Sequence, residues 1–478
     1  MITQKNKTKI VATMGPACCE ESMIEELILA GATMFRINTS HNTPEGHAEI
    51  IAKIRNVEKK LKTFIPILVD LQGPKIRVGQ LIAPIPIEPG KELVLEYGLE
   101  QTNPDIVPVD YKGIAEDVHV GECILLDDGK IKIEVIKKDG TRVHVKVLHG
   151  ELLKQRKGIN IPGGTKSVSA ITERDVDYIK FAVENEADYL ALPFVRDKDD
   201  VMLAKKYLSH FGADIPIVAK IEKPEAVKNI ESILDVVDAV MIARGDLGIE
   251  LAPEKVPMVQ KMIVDAAFKH RKTCIVATQM LESMIEEPIP TRAEASDVAN
   301  AILDGADAVM LSGETAAGKN PVEAVKMMAM IAHDVEQSNF VSYNLDLPMN
   351  ETYEPTPQAV AAAAVKMAED LGAKAILAFT HTGYTVKLLS KLRPSVPVLA
   401  ISDSLKTCRK LSLYWDMHPF MKDWDVVLND ELLKKIDNLL LEKTEYKKDD
   451  RVIIIGSIPK LITGRTNFVR VHRMCAFN

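Results

Sequence analysis

The sequence predicts an α/β protein: a (β/α)8 TIM barrel with an inserted β-rich lid domain and a C-terminal open α/β domain. Three observations carry this expectation. Eight strand-length apolar runs alternate with helically periodic segments before residue 320. About 115 residues separate the third run from the fourth, far more than a βα connection uses. The alternation then restarts beyond an acidic, proline-bearing stretch near residue 350.

The eight runs occupy residues 8–14, 32–38, 65–70, 188–194, 215–221, 238–243, 273–278 and 307–312, the number a (β/α)8 barrel requires. Small-residue turns introduce several of them: Ala30-Gly31-Ala32, Ala187-Asp188 and Gly305-Ala306-Asp307. Glycine suits the left-handed end of a preceding helix. Ala239-Val240-Met241-Ile242 is echoed by Ala308-Val309-Met310-Leu311, as repeated units would produce. From Gly73 to about Val168 the text is strand-like, with turns at Glu88-Pro89-Gly90, Asp127-Asp128-Gly129 and Lys138-Asp139-Gly140. The expected division is a barrel in two segments, 1–73 and 169–350, a β-barrel-like lid at 74–168 and a regulatory α/β domain at 351–478. That last domain should open with an alanine-rich helix at 357–371 and contain strands at 374–380, 397–402, 452–456 and 468–472. The charged run 443–450 reads as a solvated helix end.

With 478 residues, 46% of them apolar, the chain can bury a core of several domains. A net charge of −8 argues against a nucleic-acid binder, so any phosphate site must be local. The six cysteines form no CxxC pair and fit neither a zinc knot nor a disulfide framework. Reduced thiols in a cytoplasmic protein are expected. No signal-peptide core follows Met1, and no run approaches the length of a membrane span. The 19 methionines read as core filling.

Barrel active sites lie at the carboxyl ends of the strands. There Arg36, Asn38 and Ser40 alternate on one face of the second run. Asp70 closes the third, Lys220 and Glu222 the fifth, Arg244 and Asp246 the sixth, and Thr278 the seventh. Any one of these alone reads equally well as a solvated end or a helix cap. Lys220 and Glu222, however, share a face just beyond the apolar run Ile215-Pro216-Ile217-Val218-Ala219. Glu222 and Asp246, from adjacent strands, offer a few oxygens for Mg²⁺, with Mn²⁺ as the alternative ion, leaving positions for substrate and water. Gly245 lets the backbone approach a small anion. No Ser-His-Asp or Cys-His set accompanies them. The pattern points to phosphoryl transfer, or to enolate chemistry on a carboxylate.

From Thr8 to about Met474 the chain resembles the pyruvate kinase family. The matching segments are Thr8-Lys9-Ile10-Val11-Ala12-Thr13-Met14-Gly15-Pro16, Arg36-Ile37-Asn38-Thr39-Ser40-His41 and Ile217-Val218-Ala219-Lys220-Ile221-Glu222. Met241-Ile242-Ala243-Arg244-Gly245-Asp246-Leu247-Gly248, Ala277-Thr278-Gln279-Met280 and Ser312-Gly313-Glu314-Thr315-Ala316 extend the match. Thr39 stands where the family usually has phenylalanine. The resemblance implies transfer of a phosphoryl group from phosphoenolpyruvate to ADP, giving pyruvate and ATP in the last step of glycolysis. In it Lys220 and Arg36 would hold the phosphoryl group, Gly245 and Asp246 the substrate, and Glu222 and Asp246 the Mg²⁺. Thr278 would take part in protonating the enolate. Asn38, His41, Arg77 and Lys157 would contact the nucleotide, with the insert closing as a lid. The resemblance also suggests a homotetramer, and a phosphorylated effector at the loop containing Thr380, Thr382, Gly383 and Thr385, assisted by Gly464-Arg465-Thr466-Asn467. Such a loop at a helix start suits a phosphate, or is simply a capped turn.

One departure concerns potassium. Members that need K⁺ bind it with groups matching Asn38, Ser40 and Asp70. Where they carry threonine, lysine, glutamate and threonine, this chain has Leu71, Gln72, Lys75 and Val78. The resemblance then implies that the Lys75 ammonium replaces K⁺, which should not be required. Two rivals remain: a Mg²⁺-dependent lyase or aldolase of pyruvate or phosphoenolpyruvate on the same barrel, which needs neither lid nor Lys157, and a non-catalytic binding barrel.

Overall fold

The computed structural model describes residues 6–104, 106–162, 168–338, 349–350, 353–424, 429–442, 445–457 and 465–475. Eight parallel strands close into a barrel in chain order: Lys9–Thr13, Met34–Asn38, Ile67–Asp70, Tyr189–Leu192, Ile217–Ile221, Ala239–Ala243, Thr273–Ala277 and Ala308–Leu311. Each lies within one of the eight apolar runs. The strands stop short of the runs partly because an aspartate precedes three of them. Asp188 accepts the Ile67 amide (2.9 Å), Asp238 that of Ile217 (3.1 Å) and Asp307 that of Cys274 (2.7 Å). The repeat seen in the sequence is thus a repeated capping of a neighbouring strand's first free N–H.

Side chains alternate across each strand. Val11, Met34, Leu68, Val218, Met241, Ile275 and Met310 fill the barrel interior, while the intervening residues pack outward beneath the helices. The interior is completed from below by Leu413, fully buried, which belongs to the C-terminal part of the chain. Tyr189 donates its hydroxyl to the Lys410 carbonyl beside it (2.9 Å).

Between the third and fourth barrel strands the chain builds a six-stranded sheet around a separate apolar core that includes Leu95, Val107, Ile124, Ile133 and Val145. The turns expected there take left-handed backbones at Gly90, Asp127, Asp128, Gly129 and Gly140. Residues 76–79 stitch the two edges of the sheet together. Val78 N–H donates to the Lys157 carbonyl and Gly79 N–H to the Pro108 carbonyl, both at 2.8 Å, which gives the sheet its barrel-like closure.

The C-terminal sheet runs Met417–Met421, Val398–Ser402, Ala375–Phe379, Arg451–Gly456 and Phe468–Arg473, with only the last strand antiparallel. Met417–Met421 was not legible in the sequence. It is an edge strand, where Pro419 is tolerated because its missing N–H faces no neighbour. The alanine-rich helix spans Pro355–Asp370. The helix before the charged run ends at Leu441; residues 443 and 444 lie outside the described residues. All six cysteines are free thiols, and no described helix is long and apolar enough to cross a membrane.

Candidate active site

The inward phase that fills the barrel also aims its polar residues. Val11 leads to Thr13, Met34 to Arg36 and Asn38, Leu68 to Asp70, and Val218 to Lys220 and Glu222, each two residues further on. At the carboxyl end these side chains meet. Arg36 Nε donates to Asp70 Oδ2 (2.6 Å) and Arg36 Nη1 to Thr13 Oγ1 (3.2 Å). Lys220 Nζ lies 2.8 Å from Glu222 Oε1 and 3.4 Å from Asp70 Oδ1. Asp70 and Glu222 are each 1% exposed. Burial lowers the Lys220 pKa, but the Asp70 and Glu222 charges outweigh it and raise it above the usual lysine value. Burial raises the Glu222 pKa; Lys220 opposes this, and the nearby Asp246 charge adds to it.

Glu222 Oε2 accepts the Phe194 amide (3.0 Å). Its Oε1 is close to Lys220 but off hydrogen-bonding alignment, as is Asp70 Oδ1. Buried carboxylate oxygens with lone pairs left over, beside a second carboxylate at Asp246, suit a hard cation. No group of three or more His, Cys, Asp or Glu is gathered for a metal among the described residues. Two protein carboxylates would leave most of an octahedral shell to substrate and water.

Thr278 adopts φ +67° and Gln279 φ +54°, costly for a β-branched residue in particular. Arg244 holds them there, donating to the Thr278 carbonyl (2.9 Å) and the Gln279 carbonyl (3.0 Å) while Asp297 anchors its other nitrogen (2.7 Å). The Thr278 hydroxyl donates to the Ala277 carbonyl (2.6 Å) and accepts the Gly245 amide (2.8 Å). Gly245, Asp246 and Thr278 are half-buried at the mouth.

Other expected residues lie further out. Asn38 accepts the Ser40 amide (3.2 Å), and His41 is exposed on the loop beyond. Arg77 is bridged to Gly158 in the inserted sheet, and Lys157 pairs with Asp127 (2.8 Å), which raises its pKa. A cleft opens between that sheet and the barrel mouth, lined by Lys75, Asp128, Asn160, Arg196, Lys223 and Asp246 among others. Asn160 donates to Glu250 across it (3.1 Å), and Lys223 pairs with the same oxygen (2.6 Å).

In the C-terminal sheet, the Thr380 hydroxyl accepts the Gly383 amide (2.9 Å), and the Thr385 and Thr466 hydroxyls are 2.6 Å apart. Gly383 has φ +90°, and a Cβ there would stand 3.1 Å from Leu411. Thr382 is exposed, and Gly464 lies outside the described residues. The sequence reading missed Thr13, Asp297 and Glu250. Only Thr13 carried a signal, its inward phase.

Two family models match the chain: pyruvate kinase, barrel domain, over residues 5–325, and pyruvate kinase, alpha/beta domain, over residues 358–472. A curated relative from Staphylococcus epidermidis named pyruvate kinase is 40% identical over 469 residues, covering 98% of this chain and 80% of its own. One of the same name from Staphylococcus aureus is 41% identical over 473 residues, with the same coverage. A crystal structure of a pyruvate kinase from Cryptosporidium parvum superposes with a TM-score of 0.92 at 32% identity, covering 98% of this chain and 96% of that one. Closed barrel, inserted sheet, mouth charges and relatives agree: the chain belongs to the pyruvate kinase family.

Proposed function

We propose that the chain transfers the phosphoryl group of phosphoenolpyruvate to ADP, giving pyruvate and ATP. The observation that carries this is the buried Arg36–Asp70–Lys220–Glu222 array at the carboxyl ends of the second, third and fifth barrel strands. Phosphoryl transfer asks for positioning and charge neutralisation, not for a protein nucleophile. Lys220 and Arg36 face the transferring group. Gly245 and Asp246 receive the rest of the substrate, and the Thr278 hydroxyl stands where a proton must reach the enolate. Asn38, His41, Arg77 and Lys157 serve the nucleotide, the last two from the inserted sheet of residues 74–168, which acts as a lid excluding water. Family membership leaves the lyase or aldolase alternative without support. An assay coupling ATP formation to both substrates tests the reading; pyruvate release without ADP would overturn it.

Glu222 and Asp246 are the residues that would hold Mg²⁺. When bound, the ion would neutralise phosphate charge and polarise the enolate oxygen. Glu222→Gln and Asp246→Asn should each raise the Mg²⁺ concentration for half-maximal rate by roughly tenfold or more, since each removes one of few anionic oxygens. Unchanged half-saturation in both would place the metal elsewhere.

The role of the Lys75 ammonium in place of K⁺ near Asn38, Ser40 and Asp70 rests on the sequence departure: Lys75 is exposed and lines a cleft with Asp246 that none of those three residues lines. A second cation beside it would be repelled. The wild type should turn over fully in a buffer whose only monovalent cation is a bulky quaternary ammonium, and Lys75→Glu should make it K⁺-dependent or nearly inactive. Stimulation of the wild type by about tenfold or more on adding KCl at matched ionic strength would overturn this.

A phosphorylated effector would bind at Thr380, Thr382, Gly383 and Thr385, where Thr466 of the late loop already meets Thr385. The exposed pair Met258 and Met262, one turn apart on the helix Val256–Lys269, supports a subunit interface in a homotetramer. The six free thiols fit the cytoplasm.

A further inference from the structure

We propose that Arg174 and Asp175 are positioning residues that clamp Asp70, at the floor of the reaction site, to the hinge of the lid; this rests on the phosphoryl-transfer reading above. They are neighbours at the start of the helix Glu173–Glu184, immediately after the chain returns from the inserted sheet.

Asp175 is 1% exposed. Its Oδ2 accepts the Thr172 amide (2.9 Å) and hydroxyl (2.6 Å), closing a capping box. A capping box needs no more than that. Yet Oδ1 also accepts the amides of Gln72 (3.2 Å) and Gly73 (3.1 Å), where the chain leaves the barrel. One carboxylate therefore holds both crossings between barrel and insert. Gly73 is fixed as well: it has φ +67°, and a Cβ there would stand 2.7 Å from Pro193 and 2.8 Å from Phe194. Lid rotation must begin beyond it.

Arg174 grips from the other side. Its Nη2 donates to the Thr39 carbonyl (2.9 Å), and its guanidinium lies over the Tyr178 ring, 5.6 Å from the centroid. Thr39 is fully buried, and both its amide (3.1 Å) and its hydroxyl (2.9 Å) donate to the Asp70 carbonyl. A phenylalanine at this position would lack that hydroxyl. Arg174 thus ties Thr39, and with it the segment of Asn38 and His41, to the Asp70 backbone. Asp175 ties the chain just past Asp70 to the hinge, while the Asp70 carboxylate keeps its own partners Arg36 and Lys220. Neither clamp residue reaches the reacting atoms. What they set is the place of Asn38 and His41 relative to the hinge.

The test uses Arg174→Met, which keeps the stem on Tyr178, with Arg174→Lys and Asp175→Asn. Arg174→Met should raise the KM for ADP roughly tenfold while kcat changes less than about twofold, the effect of losing one charge-assisted hydrogen bond. Arg174→Lys should recover most of that loss. Asp175→Asn should speed hydrogen exchange at the Gln72 and Gly73 amides roughly tenfold, a readout that needs no activity. A merely structural pair would lower the melting temperature and leave the ADP KM unmoved. An unchanged ADP KM in folded Arg174→Met, or unchanged exchange at residues 72–73 in Asp175→Asn, overturns the clamp. A wild type that forms no ATP would strike the functional reading instead, and the exchange result would then decide the clamp alone.

Discussion

Lys220→Met should lower kcat by at least about 10²- to 10³-fold, the scale seen when one donor aimed at developing charge is removed. The fold should survive. Asp70 keeps Arg36 as a partner (2.6 Å) and Glu222 keeps the Phe194 amide (3.0 Å), so neither carboxylate is left without a bond. The loss falls on kcat because Lys220 holds its proton under the pull of Asp70 and Glu222 and presents a full charge to a group whose charge is redistributed in the transition state. Steady-state rates at saturating substrates, with a melting curve for each protein, check this. A folded mutant keeping more than about a tenth of the wild-type kcat would remove Lys220 from the role.

The second large effect concerns stability. Asp307, 1% exposed, pairs at the barrel floor with Lys391 (2.5 Å) and Arg393 (3.0 Å) from the C-terminal part of the chain. Asp307→Ala strands the buried Lys391 and the Cys274 amide and leaves Arg393 with the Gly305 carbonyl (2.7 Å) and the Trp415 ring, and breaking such a pair costs about 3–5 kcal/mol. Thermal unfolding should fall by roughly 10 °C. Burial already pushes the Lys391 pKa down to about 8 against the pull of Asp307. Without Asp307 its folded pKa drops further below the unfolded value, so the unfolded state binds more protons and stability rises with pH. The deficit should therefore narrow as the pH rises toward about 8 and level off above it, where Lys391 is neutral in both folded proteins. A melting point within about 2 °C of wild type would show that the pair does not hold the floor.

Much of the barrel was legible because a buried parallel strand has to be written as an unbroken apolar run, and Val218-Ala219-Lys220-Ile221-Glu222 shows the run turning polar where the site begins. Their positions at the strand ends marked Arg36, Asp70, Lys220 and Glu222 in the sequence, and the period of two put Lys220 with Glu222 and Arg36 with Asn38 and Ser40, but the contact of Asp70 with Arg36 and Lys220 is not written locally. What the sequence hid depends on pairing across distance. Asp297 anchors Arg244 from a helix 53 positions away, and nothing local to Asp297 marks it. Asp175 reads as an ordinary cap, since its second set of bonds reaches back over the whole insert to residues 72 and 73. Leu413 and Lys391 look like core and surface of their own sheet, yet both serve the barrel floor. Met417–Met421 carries Pro419 within it, which speaks against a central strand yet is harmless at an edge.

Phosphorus NMR of a mixture of enzyme, Mg²⁺, phosphoenolpyruvate and ADP tests the central claim most directly. The phosphoenolpyruvate resonance should decay only when ADP is present, with the signals of ATP growing in its place, and the conversion should all but vanish with Lys220→Met. Decay without ADP, or release of the phosphorus as inorganic phosphate, would contradict transfer at this site.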